Sequence, residues 1–214
     1  MMGLNAKDKR ILVLAPHTDD GELGAGGAVA RLLEEGAEVF YAVFSTCEES
    51  VPAGFPKDIL GREQLAAAAS LGVGEDRVTF FHYPVRKFPA FRQEILEDMV
   101  KLNRTIRPDL VFAPSLHDVH QDHHTVAEEA LRAFKKTGIL GYEEPWNDLS
   151  FDNQIYITLE ERHVRAKARA VACYASQGIR DYTSEDYLLS LAHCHGIQIG
   201  KQYAEVFETV RWVL

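Results

Sequence analysis

Residues 11–15, Ile-Leu-Val-Leu-Ala, form an apolar run without alternation, and Pro16 stops it abruptly. A short apolar run bounded by a turn signal reads as a strand buried on both faces, the kind found in parallel sheets covered by helices. The next residues are His17-Thr18-Asp19-Asp20, and a glycine-dense segment, Gly21 to Gly27, then opens a helical pattern. A strand that feeds straight into a helix is half of a βαβ unit. Its polar residues therefore sit at the carboxyl end of a strand, the edge where open α/β sheets hold their ligands.

The same alternation continues along the chain. Strands are expected over residues 10–15, 38–45, 77–81 and 110–113, with helices over 22–35, 59–71, 90–106 and 123–136. Gly36 and Gly72 follow two of these helices and Pro108 follows a third, all stop signals. Beyond residue 140 the pattern is less regular. A loop is expected over 142–152, strands over 154–158 and 207–213, and helices over 159–174 and 184–195. The fold class that follows is α/β: a three-layer, Rossmann-like arrangement with a mostly parallel central sheet. No repeat, low-complexity tract or linker divides residues 1–214, so a single domain is expected.

Bulk properties exclude several functions. The 214 residues carry a net charge of −9, opposite to what a nucleic-acid binder needs. No apolar run approaches the roughly 18 residues needed to span a bilayer, and the polar start of the chain shows no secretory signal. Three cysteines, Cys47, Cys173 and Cys194, form no CxxC pair, which fits a reducing, cytoplasmic setting better than a disulfide framework. Cys47 follows a strand end, but a buried structural thiol is the default. A homo-oligomer is compatible with the sequence, which does not fix an oligomeric state.

A second polar cluster, Ser115 to His124, follows the fourth expected strand and contains His117, Asp118, His120, Asp122 and His123. In a parallel sheet the carboxyl ends share one edge, so the two clusters can converge. Imidazoles plus carboxylate in such a cluster suit a catalytic metal site with room for water. Taken alone, Asp19 and Asp20 could merely cap a helix. The glycines offer neither a GxxxxGK[ST] nor a GxGxxG spacing, so close helix packing explains them better than phosphate binding. His193-Cys194-His195 has a metal-like composition, but on a helix its members point about 100° apart.

These motifs resemble the zinc-dependent N-deacetylases of the LmbE-like and PIG-L type. The matches are Pro16-His17-Thr18-Asp19-Asp20, His120-Gln121-Asp122-His123, the Arg62-Glu63 segment that runs to Leu71-Gly72-Val73, and Tyr203-Ala204-Glu205 with Phe207. The chain departs from the family pattern at Thr18, where proline is usual, and at Gly21, where an acidic residue often stands. The resemblance implies that Zn2+ is held by His17, Asp20 and His123. It implies that Asp19 is the general base, and that His120 protonates the leaving amine or steadies the oxyanion, with Asp122 as its partner. Arg62 is implied as a substrate contact; Asp118, on the strand-end loop, and Glu205 are further candidates. The implied substrate is a small N-acylated sugar. A catalytically inert nucleotide- or sugar-binding module and a metal-dependent phosphoesterase remain as alternatives.

Overall fold

The structure is a computed structural model that describes residues 6–178 and 180–213. The first five residues, part of the polar start of the chain, lie outside the described residues. Seven strands make one sheet among the described residues. They are β1 (Arg10–Ala15), β2 (Glu38–Val43), β3 (Val78–Phe80), β4 (Leu110–Pro114), β5 (Gly138–Tyr142), β6 (Ile155–Leu159) and β7 (Tyr203–Arg211). In the sheet order β3-β2-β1-β4-β5-β7-β6, β1 to β5 run parallel to one another, and β7 is antiparallel to both β5 and β6. The expected three-layer, mostly parallel architecture is what the chain adopts.

Six helices cover the sheet: α1 (Asp20–Glu34), α2 (Ile59–Leu71), α3 (Arg92–Ile106), α4 (Gln121–Ala133), α5 (Glu161–Val171) and α6 (Glu185–Gln198). Side chains alternate across each buried strand, so the two faces receive different residues. Ile11, Val13 and Ala15 of β1 pack with Ala25, Ala28 and Val29 of α1 on one face. Leu12 and Leu14 pack with Ile95 and Met99 of α3 and Val126 and Ala130 of α4 on the other. β1 therefore has no polar position to spare, which is why its sequence lacks alternation.

α1 lies against one face and α4 against the other, while their parent strands β1 and β4 are hydrogen-bonded neighbours. The strand order reverses between them, and a crevice opens at the carboxyl ends. The His17 and His123 loops meet there.

Element boundaries differ from expectation in ways that packing explains. α4 starts at Gln121 because His120 caps it: its ring accepts the Asp122 N–H. Strand β5 falls partly in the span expected as loop. Its sequence, Gly-Ile-Leu-Gly-Tyr, carries two glycines and too little periodicity to announce a strand, yet every residue is buried and paired with β4. β7 begins at Tyr203 rather than Phe207, which places Glu205 inside the sheet. No helix among the described residues is long and apolar enough to cross a membrane.

The glycines of α1 allow close approach. A Cβ at Gly24 would overlap the ring of Tyr142, itself fully buried and donating its hydroxyl to the Leu14 carbonyl at 3.0 Å. Gly24→Ala is therefore expected to destabilise the fold by about 1–3 kcal/mol, read as a lower midpoint in urea unfolding.

Candidate active site

Asp19 and Asp20 stand at the start of α1. Asp19 occupies the N-cap position, but its side chain makes no capping hydrogen bond. Its carboxylate is free for other work. Asp20 Oδ2 accepts the His17 backbone N–H at 2.7 Å, which folds the loop back on itself.

Three donor atoms then converge. His17 Nδ1 and His123 Nε2 lie 3.1 Å apart. Asp20 Oδ2 is 3.2 Å from each of them. The far nitrogens of both rings face carboxylates: His17 Nε2 lies 3.0 Å from Asp122 Oδ2, and His123 Nδ1 lies 2.7 Å from Asp118 Oδ2. A neutral imidazole has one N–H, and each carboxylate claims it. In that neutral state, which metal binding requires, the atoms that face one another hold lone pairs; an added proton, which the raised pKa values of both rings favour, would otherwise take the metal's place. Three lone pairs this close repel unless a cation joins them, and their spacing is near the roughly 3.3 Å edge of a tetrahedron with bonds of 2.0–2.1 Å. The donor set fits a divalent metal ion held by His17, Asp20 and His123. Carboxylates behind metal-bound imidazoles are a recurrent second layer that fixes tautomer and orientation.

Titration behaviour agrees with a site built for positive charge. Burial, the largest influence, depresses His123, but Asp20, Glu144 and Asp118 outweigh it and hold the ring well above the usual histidine value. His17 is raised in the same way against its own burial, by Asp20 and Asp122. Burial works to raise Asp20, yet the two imidazoles hold it well below the usual carboxylate range. Asp19 is raised by burial and by the neighbouring Asp20 charge, with Arg180 opposing. His120 is pushed down to about 4, chiefly by burial and then by His123 and His17. It is therefore neutral near pH 7. Its Nδ1 accepts the Asp122 N–H at 3.2 Å, so the proton sits on Nε2.

The site opens into a cavity of about 450 Å³, within the usual range for small-molecule sites. His17, Asp19, Asp20, His120 and His123 all line it. Asp118 and Asp122 lie behind. Asp118 accepts from the His120 backbone N–H at 2.7 Å as well as from His123. Asp122, fully buried, accepts from His17, Arg86 N–H and Phe88 N–H, and its carboxylate does not pair with the His120 ring. Arg62 and Glu205 are elsewhere. Arg62 is exposed and paired with Asp58 at 2.5 Å. Its neighbour Glu63 turns inward to accept from Ser176 N–H and Oγ, which ties α2 to the segment after α5. Glu205 accepts from the Gly27 and Ala28 amides at 3.0 and 2.6 Å and from Lys167 Nζ at 2.7 Å.

Lining residues that carried no individual sequence signal include Glu144, Gln177 and Arg180. The last two lie in the segment after α5 that no periodicity marks. Arg180 Nη1 reaches 3.4 Å from Asp19 Oδ2. Trp146 and Tyr182 stack with centroids 4.0 Å apart and an interplanar angle of 12°, forming an aromatic wall. Beneath the loop, Tyr174 Oη lies 2.5 Å from the Thr18 carbonyl and 2.9 Å from Glu22 Oε2. Burial pushes Glu22 up to about 8, so its neutral carboxyl can donate to Tyr174 while Tyr174 donates to Thr18. That chain holds the turn where proline is usual. Cys47 lines the cavity, but burial raises its thiol far above neutrality, so it stays protonated and unreactive. His193 and His195 bond to different partners, the Gln202 carbonyl and Glu143.

A Rossmann-like sheet with two histidines and a carboxylate converging at its strand-order reversal defines a class of α/β enzyme with a site that could hold a metal ion. The family described as PIG-L, GlcNAc-PI de-N-acetylase, matches residues 12–134, and the chain belongs to it. It is 27% identical over 176 residues to the uncharacterized deacetylase YaiS of Escherichia coli, covering 79% of this chain and 92% of that one. It is 24% identical to the diacetylchitobiose deacetylase of Thermococcus kodakarensis, covering 92% and 81%. A 4-oxalmesaconate hydratase of Pseudomonas putida is 27% identical over 134 residues, covering 58% of this chain and 50% of that protein. Among solved structures, the conserved protein TT1542 of Thermus thermophilus superposes with a TM-score of 0.82 at 26% identity, over 96% of each chain.

Two substitutions separate the site from its scaffold. Asp118→Asn should weaken metal binding about 10- to 100-fold, measured by chelator competition. Glu205→Ala should strand Lys167 as a buried charge and lower stability by roughly 3–5 kcal/mol in denaturant unfolding, with metal content unchanged in the folded protein.

Proposed function

We propose that this protein is a zinc-dependent N-deacetylase that removes an acetyl or similar small acyl group from the amide nitrogen of an amino sugar or glycoconjugate. Residues 1–214 act as one domain in this reading. The observation that carries it is the convergence of two imidazole nitrogens and one carboxylate oxygen at metal-ligand spacing, with the Asp19 carboxylate on the wall of the same cavity. Two imidazole nitrogens and one carboxylate oxygen are the ligand chemistry of catalytic zinc, with a position left for water. Membership of a de-N-acetylase family and likeness to sugar deacetylases support the amide and the sugar. Three free thiols support a reducing compartment such as the cytoplasm.

An amide is a poor electrophile, and water near pH 7 is a poor nucleophile. When bound, the metal ion would supply Lewis acidity to the carbonyl and lower the pKa of attacking water. Asp19 is placed to take the proton that water loses, and its raised pKa lets it hold that proton. The same carboxyl then delivers the proton to the amide nitrogen as the C–N bond breaks, so the amine never leaves as an anion. His120, neutral with its proton on Nε2, donates a hydrogen bond to the developing oxyanion. Asp122 and Asp118 hold the rings of His17 and His123. The stacked Trp146–Tyr182 wall offers an apolar face to a sugar ring.

The test pairs metal content with turnover. Chelation should abolish amine release from N-acetyl glucosaminides, and zinc should restore it. Asp19→Asn should keep its metal and lose roughly 10²–10⁴ in kcat. His123→Ala should lose the metal as well. Metal-free protein with unchanged turnover would overturn the reading. So would hydration of an unsaturated carboxylic acid, or cleavage of a phosphomonoester, without amine release.

A further inference from the structure

The cavity rim holds one solvent-exposed arginine whose guanidinium no group of the described residues engages. Two arginines line the cavity, Arg86 and Arg180. Arg180 is engaged, with Nη1 3.4 Å from Asp19 and 2.8 Å from the Tyr182 hydroxyl. The Arg86 guanidinium makes no hydrogen bond or ion pair among the described residues, although its backbone is firmly held.

Arg86 sits where an arginine is poorly suited. Residues 84–87 form a turn closed by Lys87 N–H to the Pro84 carbonyl at 3.1 Å. Arg86 is the third residue and has φ 65°, while Val85 is not among the positive-φ residues. That is the type II pattern, whose third position favours glycine. The turn itself is anchored to the centre: Arg86 N–H donates to Asp122 Oδ2 at 2.5 Å, and Phe88 N–H to Oδ1 at 3.1 Å. Asp122 also holds His17. A rigid link therefore runs from a metal-ligating imidazole to the Cα of Arg86, leaving only the guanidinium free.

We propose that Arg86 anchors an anionic group, carboxylate or phosphate, so that the preferred substrate is an acidic N-acyl amino sugar. This deepens the deacetylase reading and rests on it. A guanidinium presents paired N–H donors that match two oxygens of a carboxylate or phosphate. The chain as a whole carries −9 and repels anions at a distance, so recognition of an acidic substrate must be local. Arg86 supplies that locally. The contact lies away from the scissile amide and is the same in ground and transition states, so it acts on KM rather than kcat.

The experiment compares N-acetylglucosamine 1-phosphate, N-acetylglucosamine 6-phosphate and N-acetylmuramic acid with the neutral methyl N-acetylglucosaminide. Amine release is measured with metal-loaded wild type, Arg86→Gly and Arg86→Lys. In parallel, calorimetry follows binding of the same probes to metal-loaded Asp19→Asn, with and without Arg86→Gly. At least one acidic probe should have a lower KM than the neutral one, and the phosphate and carboxylate arms identify the anion. Arg86→Gly should raise the KM of that probe roughly ten-fold with no matching fall in kcat. Arg86→Lys should recover part of the loss. Glycine suits the positive φ, so the thermal midpoint should stay with the wild type and unfolding cannot mimic the effect. Equal KM for acidic and neutral probes in the wild type overturns the proposal. So does an Arg86→Gly variant that weakens both alike. If no probe yields amine, the deacetylase reading fails, and calorimetry decides Arg86 separately. Arg86-dependent binding of an acidic probe sustains it, and equal binding without Arg86 refutes it.

Discussion

Two buried carboxylates decide what this site can be. Asp122 and Asp118 each face the outer nitrogen of an imidazole and hold the proton there. Only then do His17, His123 and Asp20 present lone pairs to one another at little more than 3 Å. Without those carboxylates either ring could turn a proton inward and close the gap with an ordinary hydrogen bond. With them, two neutral rings leave the gap to a cation, either an added proton or a metal ion. The rest of the structure serves this constraint: β1 and β4 bring the two loops side by side, and α1 and α4 leave in opposite directions to open the space between them.

The scaffold under the site is itself polar, and it is satisfied almost throughout. Glu205 reaches into α1 to take the Gly27 and Ala28 amides, with Lys167 balancing its charge. Glu63 pins the segment that carries Gln177 and Arg180, and Tyr174 fastens Thr18. Buried polar groups of this kind are costly unless each finds a partner, and once paired they admit few alternative arrangements. Gln177 and Arg180 thus gain fixed places on the cavity wall, with only short 3-10 turns, Ala175–Gln177 and Asp181–Thr183, around them.

This arrangement also separates roles that the family resemblance had merged. Acidic and basic residues in and beside the matching motifs divide between cavity and scaffold. Asp19 and Asp20 face the cavity, while Asp118, Asp122, Glu63 and Glu205 hold other groups in position. Arg62 sits in a matching segment yet points to solvent, whereas Arg86, in no motif, lines the wall. A motif marks that a residue is needed. Whether it touches substrate depends on which way its side chain leaves the backbone.

Much of the molecule was legible in one dimension because its signals are local. An unalternating apolar run closed by proline, followed by histidine and paired aspartates, identifies a buried strand and its functional end. Regular βα spacing identifies the parallel sheet. Strand β5 was hidden, because two glycines in five residues erase periodicity while burial between β4 and β7 still makes a strand. Glu144, Gln177 and Arg180 were hidden as well, since nothing near them in the chain distinguishes a cavity wall from a solvent-exposed loop. The sequence by itself determined the layered fold, the ligand types and the edge of the sheet on which they stand. Tertiary structure alone decided which nitrogen of each imidazole faces inward, which carboxylates hold other side chains and which line the cavity, and which cavity arginine no protein group engages. Asp118 orients His123 from only five residues away, but Asp122 reaches His17 across 105 residues and His17 meets His123 across 106, and only folding brings such groups within a hydrogen bond of each other.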